Sequence, residues 1–195
     1  MKSSWDDEED KGAKVDITVW VKTRITGRGI LRGLGEVFAH IWAYGLGPST
    51  LGPDGIVNGA EEFARWLNSF RTRNGCVQTL RVMSHGHKLY TLGSTTVGSD
   101  ISVGETENIR SDDFDDDGNL LGTPHAQQTK KLLDALKTAL STNGRLIFSA
   151  CWQGTSRLLP HISQYVDKQV SVEGWSGFGF PWLRGNTFYR NGVRQ

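Results

Sequence analysis

The sequence predicts an α/β domain, a three-layer sandwich with a mostly parallel central sheet, over residues 15–195. Three observations point there. Apolar, β-branched runs alternate with amphipathic segments along most of the chain, the pattern of strands covered by helices. The run RLIFSA at 145–150 is short and mostly apolar, as in a strand buried on both faces. A chain of 195 residues that is 37% hydrophobic can also close one core of moderate size.

The elements follow in order. Residues 1–14, MKSSWDDEEDKGAK, are acidic and polar, and they predict a flexible leader because such a segment has too little apolar surface to order itself. They lack the apolar stretch of a secretory signal, and no run nears the ~20 residues of a membrane span. The expectation is therefore a cytoplasmic protein with no membrane partner. VDITVWVK at 15–22 alternates apolar and polar positions and predicts the first strand. GEVFAHIWAYGL suggests a short helix, and GLGPSTLGPDG a loop.

Residues 59–72 predict a helix. Asn58 is the candidate cap, Glu61 and Glu62 suit the first turn, Phe63, Trp66, Leu67 and Phe70 form one apolar face, and Asn74-Gly75 is the stop. CVQTLRVM predicts a strand that runs into Ser84-His85-Gly86-His87. Two short strands are expected within 88–110, in KLYTLG and near SDISVGE. Thr123-Pro124 then opens a helix with Leu132, Leu133, Leu136, Ala139 and Leu140 on its buried face, closed by Asn143-Gly144. After RLIFSA come a helix in SRLLPHISQYVD interrupted by Pro160, a strand QVSVEGW, a glycine-rich loop and a last strand in NTFYRNG.

Composition excludes some functions. With 22 basic and 21 acidic residues the net charge is +1, which is no footprint for nucleic acid. Two cysteines, Cys76 and Cys151, make no disulfide framework. Cys76 starts a strand with no reactive partner in view. Cys151 differs, because it follows a predicted strand as His85-Gly86 follows another. Ligands of open parallel sheets bind beyond the carboxyl ends of the strands, so both residues are placed where chemistry occurs. If the strands are neighbours, Cys151 could supply a thiol nucleophile, His85 the proton transfer, and the Gly86 N–H an oxyanion donor.

A strand ending in Ser84-His85-Gly86, and a later one ending in Ser149-Ala150-Cys151 with Gly154 close behind, resembles the caspase-like cysteine peptidases (caspases, metacaspases, gingipains, separases and CHAT domains). The resemblance is carried by residues 77–154. It implies a caspase-like fold, peptide-bond cleavage by a Cys151/His85 dyad, and a protein or peptide as substrate. It also implies a pocket for the residue before the cut, with Ser149, Trp152, Glu173 and Trp175 as candidate lining. Ser149 stands where the caspase signature has glutamine, so aspartate specificity is not implied. The Trp152, Trp175, Phe178, Phe180 and Trp182 set could wall the crevice or simply fill core.

Other chemistries fit these residues less completely. His85-x-His87 lacks the further ligands that a zinc site needs. His40, His125 and His161 stand alone in sequence. Ser84 resembles part of a nucleophile elbow but has Val82 where a glycine is required, which leaves a serine hydrolase as an alternative. A catalytically inactive interaction module on the same fold is the other. Asp113, Asp115, Asp117 and Gly118 open like a calcium loop, yet Pro124 occupies the position of its last ligand. A solvated acidic loop is the favoured reading of this stretch, and no cofactor is expected beyond calcium, kept as a candidate because some members of the family the chain resembles depend on it. Oligomeric state is left open.

Overall fold

A computed structural model describes residues 15–22, 54–92, 95–150, 156–167, 169–175, 188–191 and 193–194. The leader, the segment GEVFAHIWAYGL, Cys151, Trp152 and the 176–182 loop lie outside them. The architecture is α/β. Strands β1 (Val15–Val21), β2 (Gly55–Val57), β3 (Val77–Met83), β7 (Leu140–Ser149), β8 (Ser171–Trp175), β9 (Phe188–Arg190) and β10 (Val193–Arg194) form one sheet, ordered β2-β1-β3-β7-β8-β9-β10. The first five run parallel; at one edge β9 runs antiparallel to β8, and β10 antiparallel to β9. A second, antiparallel sheet holds β4 (Gly86–Leu92), β5 (Thr95–Ser102) and β6 (Asn108–Arg110).

The register explains the burial. Ile17, Leu80, Leu146 and Val172 lie across from one another, as do Val19, Val82 and Phe148, and all are at most 3% exposed. This apolar face joins one core with Phe63 and Leu67 of α1 (Ala60–Asn74), Leu132 and Leu136 of α2 (Pro124–Ala139), and Leu158 and Ile162 of α3 (Leu158–Val166). On the alternate residues the other face carries Asp16, Thr18, Arg81, Arg145 and Glu173. Ile147 and Ser149 on that face are also buried, so β7 is covered on both sides at its carboxyl end, as its composition predicts.

Several boundaries differ from expectation. β2 begins at Gly55, where the composition of GLGPSTLGPDG predicts a loop; Asp54 ties it to β1 by donating its N–H to Thr18 O and accepting the Thr18 N–H on its carboxylate, both near 2.8 Å. Asn58 does not cap α1. Its side-chain oxygen accepts from Glu105 N–H, and Glu107 Oε2, in the turn just before β6, caps the helix 2.7 Å from Ala60 N. Gly104 packs there so closely that an added Cβ would lie 2.6 Å from Gly59 N. Helix α2 ends at Ala139, before Asn143-Gly144; Leu140 is already extended and starts β7, whose ladder is irregular until Arg145. Pro160 sits in the first turn of α3, where its missing N–H has no helical partner to lose, so it does not interrupt the helix. Thr123 does cap α2, accepting from Ala126 N at 3.2 Å. Among the described residues no helix is long and apolar enough to cross a membrane.

Candidate functional site

Strands β3 and β7 are parallel neighbours, with Met83 opposite Ser149. One residue further, Ser84 N–H reaches Ser149 O at 3.4 Å. His85 and the Ser149-Ala150 exit therefore share one edge of the sheet, its carboxyl end. Backbone pairing between two β-branched, apolar runs brings these tips together; no side-chain contact is needed for it.

His85 leaves the large sheet and enters the small one. Its carbonyl accepts from Ser102 N–H at 2.8 Å, and Gly86 pairs with Ile101. The imidazole is exposed, and partial desolvation, then the neighbouring His87, hold its pKa below the ordinary 6.5. Neutral His85 is thus the ground state near pH 7, as a proton acceptor from a thiol requires. Ser84 has a different job. Its hydroxyl donates to Ser102 O and lies 3.2 Å from His85 O, so it braces the histidine's backbone. Among the described residues no imidazole accepts from it.

Ser149 lies at the β7 tip on the face opposite the helices, and its buried hydroxyl has no hydrogen-bond partner among the described residues. Trp175, half-buried, ends β8 two residues beyond the Ile147–Glu173 pair and so reaches the level of Ser149. The strand ends thus bring Ser149 and Trp175 to the same carboxyl-terminal edge of the sheet.

Glu173 does not join them. It is 0% exposed; its Oε2 receives Arg145 Nη2 at 2.7 Å, and its Oε1 receives Arg145 Nε at 3.1 Å, Arg190 Nε at 3.2 Å and Ser171 Oγ at 2.7 Å. Burial pushes its carboxyl up, but these bonds and charges outweigh that and leave it below its ordinary value. A carboxylate spent on two arginines has nothing left to select a basic substrate side chain.

The acidic loop is likewise spent locally. Asp113 is buried and accepts from Arg110 N–H at 2.9 Å, Thr129 Oγ1 at 2.7 Å and His125 Nδ1 at 2.5 Å. The backbone and side-chain N–H groups of Asn119 hold Asp115 below its ordinary value. Asp116 pairs with Arg157, and Asp117 is exposed. Among the described residues no three acidic, histidine or cysteine side chains converge as a cation site. The donor set therefore does not fit calcium: Asp113 points into the fold and Asp115 closes its own turn.

Two histidines carry more structure than their spacing suggested. His87 Nδ1 lies 2.9 Å from Asp100 Oδ1, Asn108 Nδ2 donates to Asp100 Oδ2 at 2.7 Å, and Asn108 Oδ1 meets His125 Nε2 at 3.2 Å. With the Asp113 bonds this makes a continuous hydrogen-bonded chain from His87 to Thr129 of α2. His161 is buried against Phe114, with ring centroids 5.2 Å apart. Cys76 is buried at the foot of β3. Compared with family models, characterised proteins and solved structures, the chain matches none.

Proposed function

We propose that the chain is a caspase-like cysteine endopeptidase, built as a three-layer sandwich, with Cys151 as nucleophile and His85 as its proton acceptor. One observation carries this. The β3–β7 pairing, with Ser84 N–H on Ser149 O, sets His85 beside the exit that continues into Cys151. Adjacent strands stand ~4.8 Å apart, a spacing that suits proton transfer between residues just beyond their tips.

The chemistry follows from the groups at that edge. The thiol proton passes to neutral His85, and the thiolate attacks the scissile carbonyl. His85 then protonates the departing amine. His85 O and His87 N–H both turn toward β5, so the alternation of an extended chain aims the Gly86 N–H away from that sheet, which suits it to serve as the oxyanion donor. Ser149 and Trp175 offer a hydroxyl and an apolar wall to the residue before the cut. With Glu173 neutralised, an uncharged side chain suits this pocket best.

The test is brief iodoacetamide treatment of the folded protein, read by mass spectrometry, followed by a peptide-library screen. Rapid modification of Cys151 that slows in His85→Ala, with cleavage lost in Cys151→Ala, is the expected result. A Cys151 that reacts only after denaturation would overturn the peptidase and leave a non-catalytic interaction module. Full cleavage by Cys151→Ala would point to a different nucleophile.

A further inference from the structure

The described helices pack on one face of the large sheet, and the other face gathers arginines. Across it Thr18 pairs with Arg81, Arg81 with Ile147, Ile147 with Glu173, and Glu173 with Arg190. Arg145 stands two residues before Ile147, on the same face. Three guanidiniums therefore crowd round one buried carboxylate, with exposed Asp16 at the rim.

Glu173 has no lone pair to spare. Its oxygens accept two bonds from Arg145 and one each from Arg190 and Ser171. Arg81 is left over. It is half-buried, and among the described residues no acceptor bonds it. Desolvation, then the neighbouring Arg145, hold its guanidinium below the ordinary value. A guanidinium offers five N–H donors and keeps its charge, so a half-buried one calls for an anion. Arg190 bonds through Nε alone, and the Arg145 and Arg190 side chains are 45% and 48% exposed. The face has donors in excess and lacks acceptors.

The chain carries the missing charge. Outside the described residues it has six acidic side chains, Glu36 and the run Asp6-Asp7-Glu8-Glu9-Asp10. That run is tethered close by. Asp10 lies five residues before Val15, the start of β1, a span of at most ~17 Å. Arg81 is one strand across from Val15 and three residues further along, about 11 Å away. Arg145 is two strands across, level with Asp16, about 10 Å away. A short tether supplies an effective concentration in the millimolar range, enough for contacts too weak to hold a free peptide.

We propose that this acidic run docks on the Arg81, Arg145 and Arg190 face of its own chain, its carboxylates supplying the acceptors that Glu173 cannot. The contact is made of charge and little apolar area, so salt releases it. Ser149 and Trp175 stand two residues further along the same face, so the run docks on the side of the sheet that carries them.

The experiment is limited proteolysis of the full chain with an aspartate-directed endoproteinase, with cleavage before Asp6, Asp7 and Asp10 followed by intact-mass spectrometry. Cleavage of a reversibly docked segment tracks the fraction undocked, so Arg81→Gln should be cut about 10-fold faster than wild type in low salt. Arg81→Lys, which keeps the charge, should stay near wild type. About 0.5 M NaCl should bring wild type to the Arg81→Gln rate. Equal rates in low salt, or a wild-type rate that salt leaves unchanged, would overturn the docking. Protection that disappears on dilution would also overturn it, by making the run of a second copy the occupant. Where circular dichroism shows Arg81→Gln unfolded, NMR of the arginine Nε–Hε groups reads the contact from the other side. Changing the five acids to their amides should shift the Arg81, Arg145 and Arg190 signals, and unmoved signals would overturn the proposal.

Discussion

Replacing Glu173 with alanine removes a carboxylate that is wholly buried and holds Arg145, Arg190 and Ser171 through four hydrogen bonds of 2.7–3.2 Å. Deleting one member of a buried ion pair costs about 3–5 kcal/mol when its partner is stranded. Here the arginine side chains are 45% and 48% exposed, so their heads can rehydrate, and the cost falls to about 2–3 kcal/mol. At about 2–4 °C per kcal/mol for a domain of this size, the melting temperature should drop by about 4–12 °C. Glu173→Gln keeps the Ser171 contact and should lose about half as much. The pH dependence has a definite sign. The folded-state pKa lies below the ordinary 4.5, so the carboxylate stabilises above that pH and its contribution is lost as pH falls through the folded value. Thermal scans of wild type and variant should therefore run parallel from about pH 7 to 5 and converge in stronger acid. Coincident melting across the range would refute the structural role. A variant that instead changed its preference for lysine or arginine before the cut would return Glu173 to the substrate pocket.

Three further outcomes are expected. Because desolvation and His87 keep His85 neutral below its ordinary 6.5, kcat/KM for peptide cleavage should hold at pH 6.5 and decline only in more acidic buffer; a decline centred above 6.5 would contradict this. Glu107→Ala uncaps α1 by removing the 2.7 Å bond to Ala60 N–H, and urea titration should show a loss of about 1 kcal/mol; an unchanged midpoint would remove the cap. Phe148→Ala empties a fully buried site at the centre of the sheet and should cost about 3–5 kcal/mol in the same assay, against which a loss under about 1 kcal/mol would mean that β7 is misplaced.

What could be read from sequence was whatever local chemistry decides. Thr123-Pro124 caps and starts α2 within one turn, Asn74-Gly75 stops α1, and the alternation of VDITVWV marks both faces of β1. The strand-tip logic for His85 also needed only two apolar runs and the rule for parallel sheets. Features held by distant partners stayed hidden. Glu107 caps a helix 47 residues upstream, which no window around Asn58 could show. The β2 strand is only three residues long and is made by Asp54 gripping Thr18, 36 positions away. Leu140 sits on the helical periodicity of α2, yet pairs with Val77 and so begins β7 instead. His125 stands alone in sequence because its partners, Asp113 and Asn108, come from the turn and strand before it. Glu173, offered by the sequence as pocket lining, is hidden for the same reason, since only the neighbouring strands reveal two arginines on it.

The two sheets divide the work of positioning. The large one fixes how far His85 can stand from the β7 exit, since backbone bonds set the spacing of β3 and β7 and a one-residue slip would turn Leu146 and Phe148 out of the core. The small one fixes the direction in which His85 leaves, through Ser102 N–H on its carbonyl and Ser84 Oγ on Ser102 O. It also carries Asp100, and hence His87, on the strand that holds His85. The small sheet is in turn anchored to helices at two points, by Glu107 on α1 and by the Asp100–Asn108–His125–Asp113 chain on α2. His85 is thus set by backbone bonds alone, and His87 by the same ladder together with the buried Asp100 carboxylate. The residues at the ends of β7 and β8, Ser149 and Trp175, can therefore differ without shifting either imidazole.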